Sequence, residues 1–339
     1  MKIAFAGFRH GHIFVLYEMA KNHDNFEIVG AFEENDDARK TAEKNGVTFN
    51  YSTYRSLLDD KSVEVVAIGS AYGDRGQLAI EALKSGKHVI CDKPLCTSLE
   101  ELDEIEKLSK EKGLTVSCMF TMRFDKKIVS VKKLIDSGKL GKINNVYFGG
   151  QHPLQYGRRP SWYFEKGMHG GVINDIAIHG IDTLSFLFGG KTQKINGSRC
   201  WNAYAKEEPN FLDSAQFMLT LDNGAGVVAD VSYAIPDGIE FKLPYYWQYF
   251  IWGTEGMIGF SLSEKQFKVG GEEQPAFYYV KGVADPIPLE EVDADNYLTD
   301  FLRVVNGEEN QILPMSEVLS STRQTLEIQA KSNKNENGF

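Results

Sequence analysis

Basic charge is scarce in this chain of 339 residues: 37 lysines and arginines stand against 47 aspartates and glutamates, a formal charge of −10. A nucleic-acid partner needs a basic footprint, so that function class is set aside. No apolar run reaches the roughly 18 residues that a membrane helix needs. The apolar opening KIAFAGF is followed at once by Arg9, His10 and His12, which suits neither a signal peptide nor a span. Cysteine is rare, and Cys91, Cys96, Cys118 and Cys200 form no CxxC, the pattern of reduced thiols in a cytoplasm. A Pro/Ser-rich spacer, an internal repeat and low-complexity sequence are also absent. The chain is still too long for one comfortable core, so two domains are expected, over 1–121 and 122–339.

What is present in the first third is alternation. Strand-like runs at 2–6, 26–32, 63–69, 88–92 and 114–120, with a short segment near 47–49, are separated by helical patterns at about 11–22, 36–45, 53–60, 74–85 and 98–112. Six strands joined by helical crossovers predict a doubly wound parallel sheet. Ligands of such sheets sit outside the carboxyl ends of the strands.

Three of those ends carry informative residues. After the first strand comes Gly7-Phe8-Arg9-His10-Gly11-His12, a partial dinucleotide fingerprint in which Arg9 and His12 occupy glycine positions. An ordinary glycine turn explains it as well as a phosphate loop does. If a pyrophosphate binds at the following helix start, Arg9 or His10 supplies donors in place of the missing backbone approach. Glu33 ends the second strand near the spacing of the acid that holds a ribose 2′-hydroxyl. The acids that follow it would repel a 2′-phosphate, which favours NAD over NADP, although a polar turn at a helix start gives the same pattern. The third end is Cys91-Asp92-Lys93-Pro94. Lysines after strands are commonly just solvated, but beside a nicotinamide an ammonium stabilises developing alkoxide charge.

Residues 170–188, GGVINDIAIHGIDTLSFLF, read as a helix that stops at Gly189-Gly190. At about 100° per residue, Ile173, Ile176, Ala177, Ile181, Leu184, Leu187 and Phe188 gather on one side. Asp175, His179 and Asp182 fall within a narrow arc on another, with Asp175 and His179 spaced i, i+4. The same arc also suits a solvated polar stripe. A metal held by this trio lacks a further ligand, so no resident metal is expected.

Taken in order, the glycine turn, GKHVICDKPLCTSLEE, MRFD at 122–125, SGKLGKI at 137–143 and GGVINDIAIHGID resemble the Gfo/Idh/MocA oxidoreductases. The resemblance spans most of the chain. It implies an N-terminal Rossmann domain and a C-terminal α/β domain on a large open, mainly antiparallel sheet. It places Lys93, Asp175 and His179 where that family has its catalytic lysine, aspartate and histidine. Gly7, Arg9, His10, Gly11, Glu33, Ser70, Asp92 and Lys93 then face the cofactor, with Tyr72 and Arg75 in place of the contacts usual beside Ser70-Ala71. The chain departs from the family at Arg9, at Asp92 (a glutamate there) and at Ser70-Ala71 (Thr-Pro there).

Beyond a helix that begins near Arg123, alternating stretches at 193–204, 213–221, 225–234, 247–253 and 256–262 indicate a meandering antiparallel sheet. The aromatic run 243–252 suits either the domain's own core or pairing of copies, and we expect a homodimer or homotetramer through this sheet. Residues 151–171 read as the substrate loop. Tyr156, Trp162 and Tyr163 offer flat faces for a sugar ring, Arg158 or Arg159 suits a carboxylate or phosphate, and Arg123 is a further substrate candidate. The expected activity is a cytoplasmic NAD(P)-dependent oxidation of a sugar or polyol, with His179 as general base and Lys93 on the reacting oxygen. An NAD-dependent glycosidase and a cofactor-binding regulator are the alternatives.

Overall fold

A computed structural model describes residues 1–239, 241, 243, 246–262, 268–269, 272–273 and 276–334. The chain forms two compact units. The first combines Met1–Phe120, Pro160–Gly170 and Asn296–Arg323; the second combines Thr121–Arg159, Gly171–Asp295 and Gln324–Phe339. The sequence reading divides the chain once, whereas two later segments return to the first unit.

In the first unit, β1 (Lys2–Ala6), β2 (Glu27–Phe32), β3 (Val65–Ile68), β4 (His88–Cys91) and β5 (Val116–Cys118) pair in parallel in the order β2-β1-β3-β4-β5. Every residue of β3 is buried, as expected of a parallel strand covered on both faces. The crossovers are α1 (His12–Lys21), α2 (Asp36–Lys44), α3 (Tyr54–Asp59), α4 (Tyr72–Lys84) and α5 (Leu99–Lys112). Their ends follow local chemistry: the Asn35 side chain caps α2, Thr53 and Ser56 form a capping box on α3, and Gly113 closes α5 in the left-handed conformation. The sheet has five strands, not six. Residues 47–49 make no ladder, because Val47 N–H returns to Ala42 O and the next amides, of Asn50 and Tyr51, both donate to Ala31 O. Of the three residues only Val47 is buried.

The second unit opens with α6 (Lys126–Asp136), β6 (Ile143–Pro153), a π-helical turn at Ile173–Ala177 and α7 (Ile178–Phe188). β7 (Thr192–Trp201), β8 (Ser214–Leu221), β9 (Gly226–Ile235), β10 (Gln248–Gly253), β11 (Gly256–Ser261), the short ribbon β12 (Lys268–Val269) with β13 (Glu272–Glu273), β14 (Phe277–Val280) and β15 (Ile287–Pro288) follow. The main sheet has the order β15-β14-β11-β10-β6-β9-β8-β7. It is antiparallel except at β6 and β9, which run parallel, so the expected meander is split by β6 at its centre. Asn223 and Gly224 turn β8 into β9, as read from the sequence.

Register sorts this sheet into two faces. Phe217, Ala229, Phe148, Tyr249 and Phe260 stand in one cross-strand row and are all buried. A Cβ on Gly180 of α7 would lie 2.3 Å from the Phe148 ring, so the helix seats directly on this row. Of the aromatic run at 243–252, Pro244 and Tyr245 lie outside the described residues. α8 (Tyr297–Asn306) and α9 (Met315–Asn333) end the chain. No helix among the described residues is long and apolar enough to cross a membrane.

Candidate active site

In the first unit the strand order reverses between β1 and β3, the switch point where ligands of such sheets bind. Gly7 leaves β1 at φ +87°, and a Cβ there would stand 2.6 Å from the Ser70 backbone; only glycine makes this turn so close to the end of β3. The loop is then pinned on both flanks. Gly7 N–H donates to Phe32 O at 2.9 Å, Phe8 N–H to Glu33 Oε2 at 2.6 Å and Arg9 N–H to Gly69 O at 2.8 Å. The amides of His10, Gly11 and His12, at the start of α1, take no acceptor among the described residues. Such amides at a helix start are the donors a pyrophosphate needs. The loop therefore fits a dinucleotide although Arg9 and His12 replace glycines.

Glu33 is buried. Besides Phe8 it accepts the Asn35 N–H at 2.8 Å, and Arg9 approaches Oε1 at 3.6 Å. A carboxylate so held still has lone pairs for ribose hydroxyls. It lines a cleft of about 490 Å³ together with Gly7, Glu34, Thr53, Ser70 and Asp74. Burial, with Glu34 nearby, raises the Asp74 carboxyl above its ordinary range. The cleft gathers three acids, Glu33, Glu34 and Asp74.

At the end of β4, Arg75 is fully buried and organises the Asp92-Lys93-Pro94 turn. It donates to the carbonyls of Ser70, Asp92 and Pro94 and, at 2.9 Å, to Asp92 Oδ2. Burial pushes the Asp92 carboxyl up, but Arg75 and then His10 outweigh it and hold the group well below the carboxylate range. Burial likewise pushes the His10 imidazole down to about 4, against the pull of Asp92. Lys93 is buried, with Nζ 5.9 Å from the Tyr72 ring centre. Tyr72 is the hub of an aromatic cluster. His10, Trp162, Tyr163 and His169 lie with ring centres 4.8 to 5.6 Å from its own, and its hydroxyl meets that of Tyr163 at 2.9 Å.

In the second unit, Asp175 sits in the π turn and His179 and Asp182 in α7; all three are buried. The helix is thus neither two-sided nor solvated on its polar arc, and the extra residue of a π turn offsets the 100° count used to place the three. Gln329 Oε1 accepts the Ile173 N–H at 2.9 Å and tethers the start of the turn. Tyr233 of β9 donates a hydrogen bond to Asp175. The Trp247 ring lies 5.4 Å from that of His179. Around them, His152 meets Tyr246 Oη at 3.1 Å, and Arg159 lies over the Tyr233 ring at 5.1 Å while donating to Pro153 O and Leu154 O. The result is a buried carboxylate and imidazole within an aromatic surround.

The substrate candidates occupy separate surroundings. Arg123 is buried in a two-pronged pair with Asp182, at 2.8 and 2.7 Å. Tyr156 is exposed and donates to Glu208 at 3.0 Å; Arg158 is exposed. Trp162 is buried against Tyr72 in the first unit. Tyr233, Tyr246 and Trp247 were not singled out by the sequence, and His152 and His169 carried no distinguishing spacing. Their only signal was aromatic alternation, which reads equally as core.

Comparison with known proteins gives the following. Residues 1–120 match the model of an oxidoreductase family with an NAD-binding Rossmann fold, and residues 128–259 match the GFO/IDH/MocA C-terminal domain. The chain is 29% identical over 203 residues to scyllo-inositol 2-dehydrogenase (NAD(+)) of Bacillus subtilis, covering 60% of this chain and 56% of the relative. It is 32% identical over 157 residues to levoglucosan dehydrogenase of Pseudarthrobacter phenanthrenivorans, covering 45% and 40%. Both alignments thus span less than two thirds of the relative's length. A solved structure from Erwinia carotovora atroseptica SCRI1043 superposes with a TM-score of 0.86 at 25% identity, covering 100% of this chain and 99% of that one. With both of its halves matched, the chain belongs to the GFO/IDH/MocA oxidoreductase family.

Proposed function

We propose that the protein is an NAD-dependent dehydrogenase that oxidises a secondary hydroxyl of a sugar or polyol. The observation that carries this reading is the pinned Gly7 turn with three unengaged amides at a helix start beside an acid-lined cleft. When bound, the nicotinamide supplies the carbon that accepts hydride. Glu33 holds the ribose hydroxyls, and Glu34 and Asp74 disfavour NADP. The chain's own chemistry is proton transfer and charge stabilisation. As the C–H bond yields its electron pair as hydride, the hydroxyl proton passes to His179, and Lys93 donates a hydrogen bond to the oxygen that becomes a carbonyl. Asp175, held by Tyr233, orients the substrate or the imidazole. The names of the relatives, an inositol and a levoglucosan dehydrogenase, support a polyhydroxylated ring as the substrate class.

Lys93→Met and His179→Ala should each lower kcat by about 10²-fold or more, with NADH binding retained by fluorescence titration and NAD preferred to NADP in kcat/KM. Near-normal turnover in either variant would reject its role. Hydrolysis of a glycoside with NAD unchanged would instead identify the glycosidase alternative.

We infer further that copies associate through the outer face of the eight-stranded sheet. Met218, Val228, Tyr147 and Phe250 form one cross-strand row on that face, and Met218 and Val228 are each about half exposed. Trp252 and Tyr279 extend the exposed apolar surface. A second copy of the same face, related by a two-fold axis, is the self-complementary cover for such a surface.

A further inference from the structure

We propose that His10, His12 and Asp92 form a binding site for a divalent transition ion of the Zn²⁺ type, in the first unit at the start of α1. One ligand atom from each of the three lies within 4.8 Å of the others. His10 Nδ1 stands 2.7 Å from Asp92 Oδ2 and His12 Nδ1 3.3 Å from Oδ1, so two imidazoles converge on the two oxygens of one carboxylate.

Hydrogen bonding explains only half of this arrangement. The His10 contact is a good hydrogen bond. Asp92 Oδ1, by contrast, is buried and accepts no hydrogen bond among the described residues, with His12 Nδ1 standing 3.3 Å away. A buried carboxylate oxygen without a donor is costly. The 3.3 Å separation is instead that of two neighbouring ligands on one ion: tetrahedral zinc with bonds of about 2.0–2.2 Å sets its ligand atoms roughly 3.3–3.5 Å apart.

The ligand chemistry is suitable. Two imidazoles and a carboxylate form a borderline donor set that favours zinc and its neighbours over magnesium or calcium. Arg75 keeps Asp92 fixed from behind, as supporting hydrogen bonds do for metal-ligating carboxylates. The His12 side chain is about half exposed, so the ion enters from solvent. Arg75 and Lys93 add positive charge nearby, and the remaining coordination position therefore favours an anionic oxygen over a neutral donor.

Metal-free full-length protein, stripped with a chelator and dialysed against Zn²⁺, tests the proposal by elemental analysis. Co²⁺ substitution, read by its visible absorption bands, reports coordination independently of activity. About one ion per chain is expected. His12→Ala, a change at an exposed position that the fold should tolerate, should weaken Zn²⁺ binding by about 100-fold or more, since removal of a mere supporting partner already costs 10–100-fold. His23→Ala, outside the cluster, should bind as the unmodified protein does. Absence of saturable one-to-one binding, or unchanged affinity in His12→Ala and His10→Ala alike, would overturn the site.

Discussion

His88, at the start of β4, accepts the Thr115 N–H through Nδ1 at 2.9 Å. An imidazole that accepts there must keep that nitrogen unprotonated. Burial lowers its pKa below the ordinary 6.5, with Glu64 pulling the other way. The unfolded chain therefore takes up a proton near pH 6.5 that the folded one resists, so this part of the stability is complete above pH 6.5 and drains away as pH falls through the folded value. His88→Asn keeps an acceptor but does not titrate. Its denaturant midpoint should fall less steeply than that of the unmodified protein between pH 7.5 and 5.5; parallel slopes would show that the imidazole does not titrate in this way. Single residues of this kind are where the sequence was least informative. Arg75 reads as a cofactor contact from its place after β3, yet the fold spends its guanidinium on the backbone and carboxylate of the Asp92-Lys93-Pro94 turn. Arg123 reads as a substrate ligand, and the structure sets it against Asp182. In both cases a carboxylate distant in sequence decides what the arginine does, and local pattern is silent about it.

At the level of elements, hydrophobic period was a better guide. β1 to β5 and their helices follow from apolar runs alternating with 3.6-residue periodicity, because a buried parallel strand has to be apolar throughout. The exceptions have physical causes. Residues 47–49 bury Val47 and extend no ladder. The aromatic surround of Asp175 and His179 depends on β6 lying between β9 and β10, an adjacency that no local pattern states. The seat of α7 on β6 gives a prediction at this scale. Gly180→Ala adds about 1 kcal/mol of helix propensity. Its Cβ, however, meets a Phe148 ring already packed against Phe217 and Tyr249 at centre distances of 5.8 and 6.2 Å. Overpacking of about 1–3 kcal/mol should win, and the unfolding midpoint should drop; an unchanged or higher midpoint would show that the ring gives way.

For the whole molecule, the exposed apolar row of the large sheet supports the proposed association of copies, and the acids of the Glu33 cleft support the proposed preference for NAD. Phe250→Glu places a charge at the end of the row beside Tyr147. Sedimentation equilibrium should then find the unmodified protein as a dimer or tetramer and the variant dissociated by at least an order of magnitude in Kd, since a buried unpaired charge costs several kcal/mol. A monomeric unmodified protein would remove the association from the account. The two halves of the family match were legible in the sequence because glycine turns, Lys93-Pro94 and the Asp175–His179 spacing survive as short words. The units themselves were less so, since Pro160–Gly170 and Asn296–Arg323 join the first unit from far along the chain.

The turn at Ile173–Ala177 holds one residue more than an α-helical ladder uses. Its loss would leave backbone pairing intact and would swing everything before it by about 100° around the axis. A lineage that dropped a single codon between Asp175 and His179 would keep a helix and leave the two three apart, still neighbours on its surface but in a different bearing.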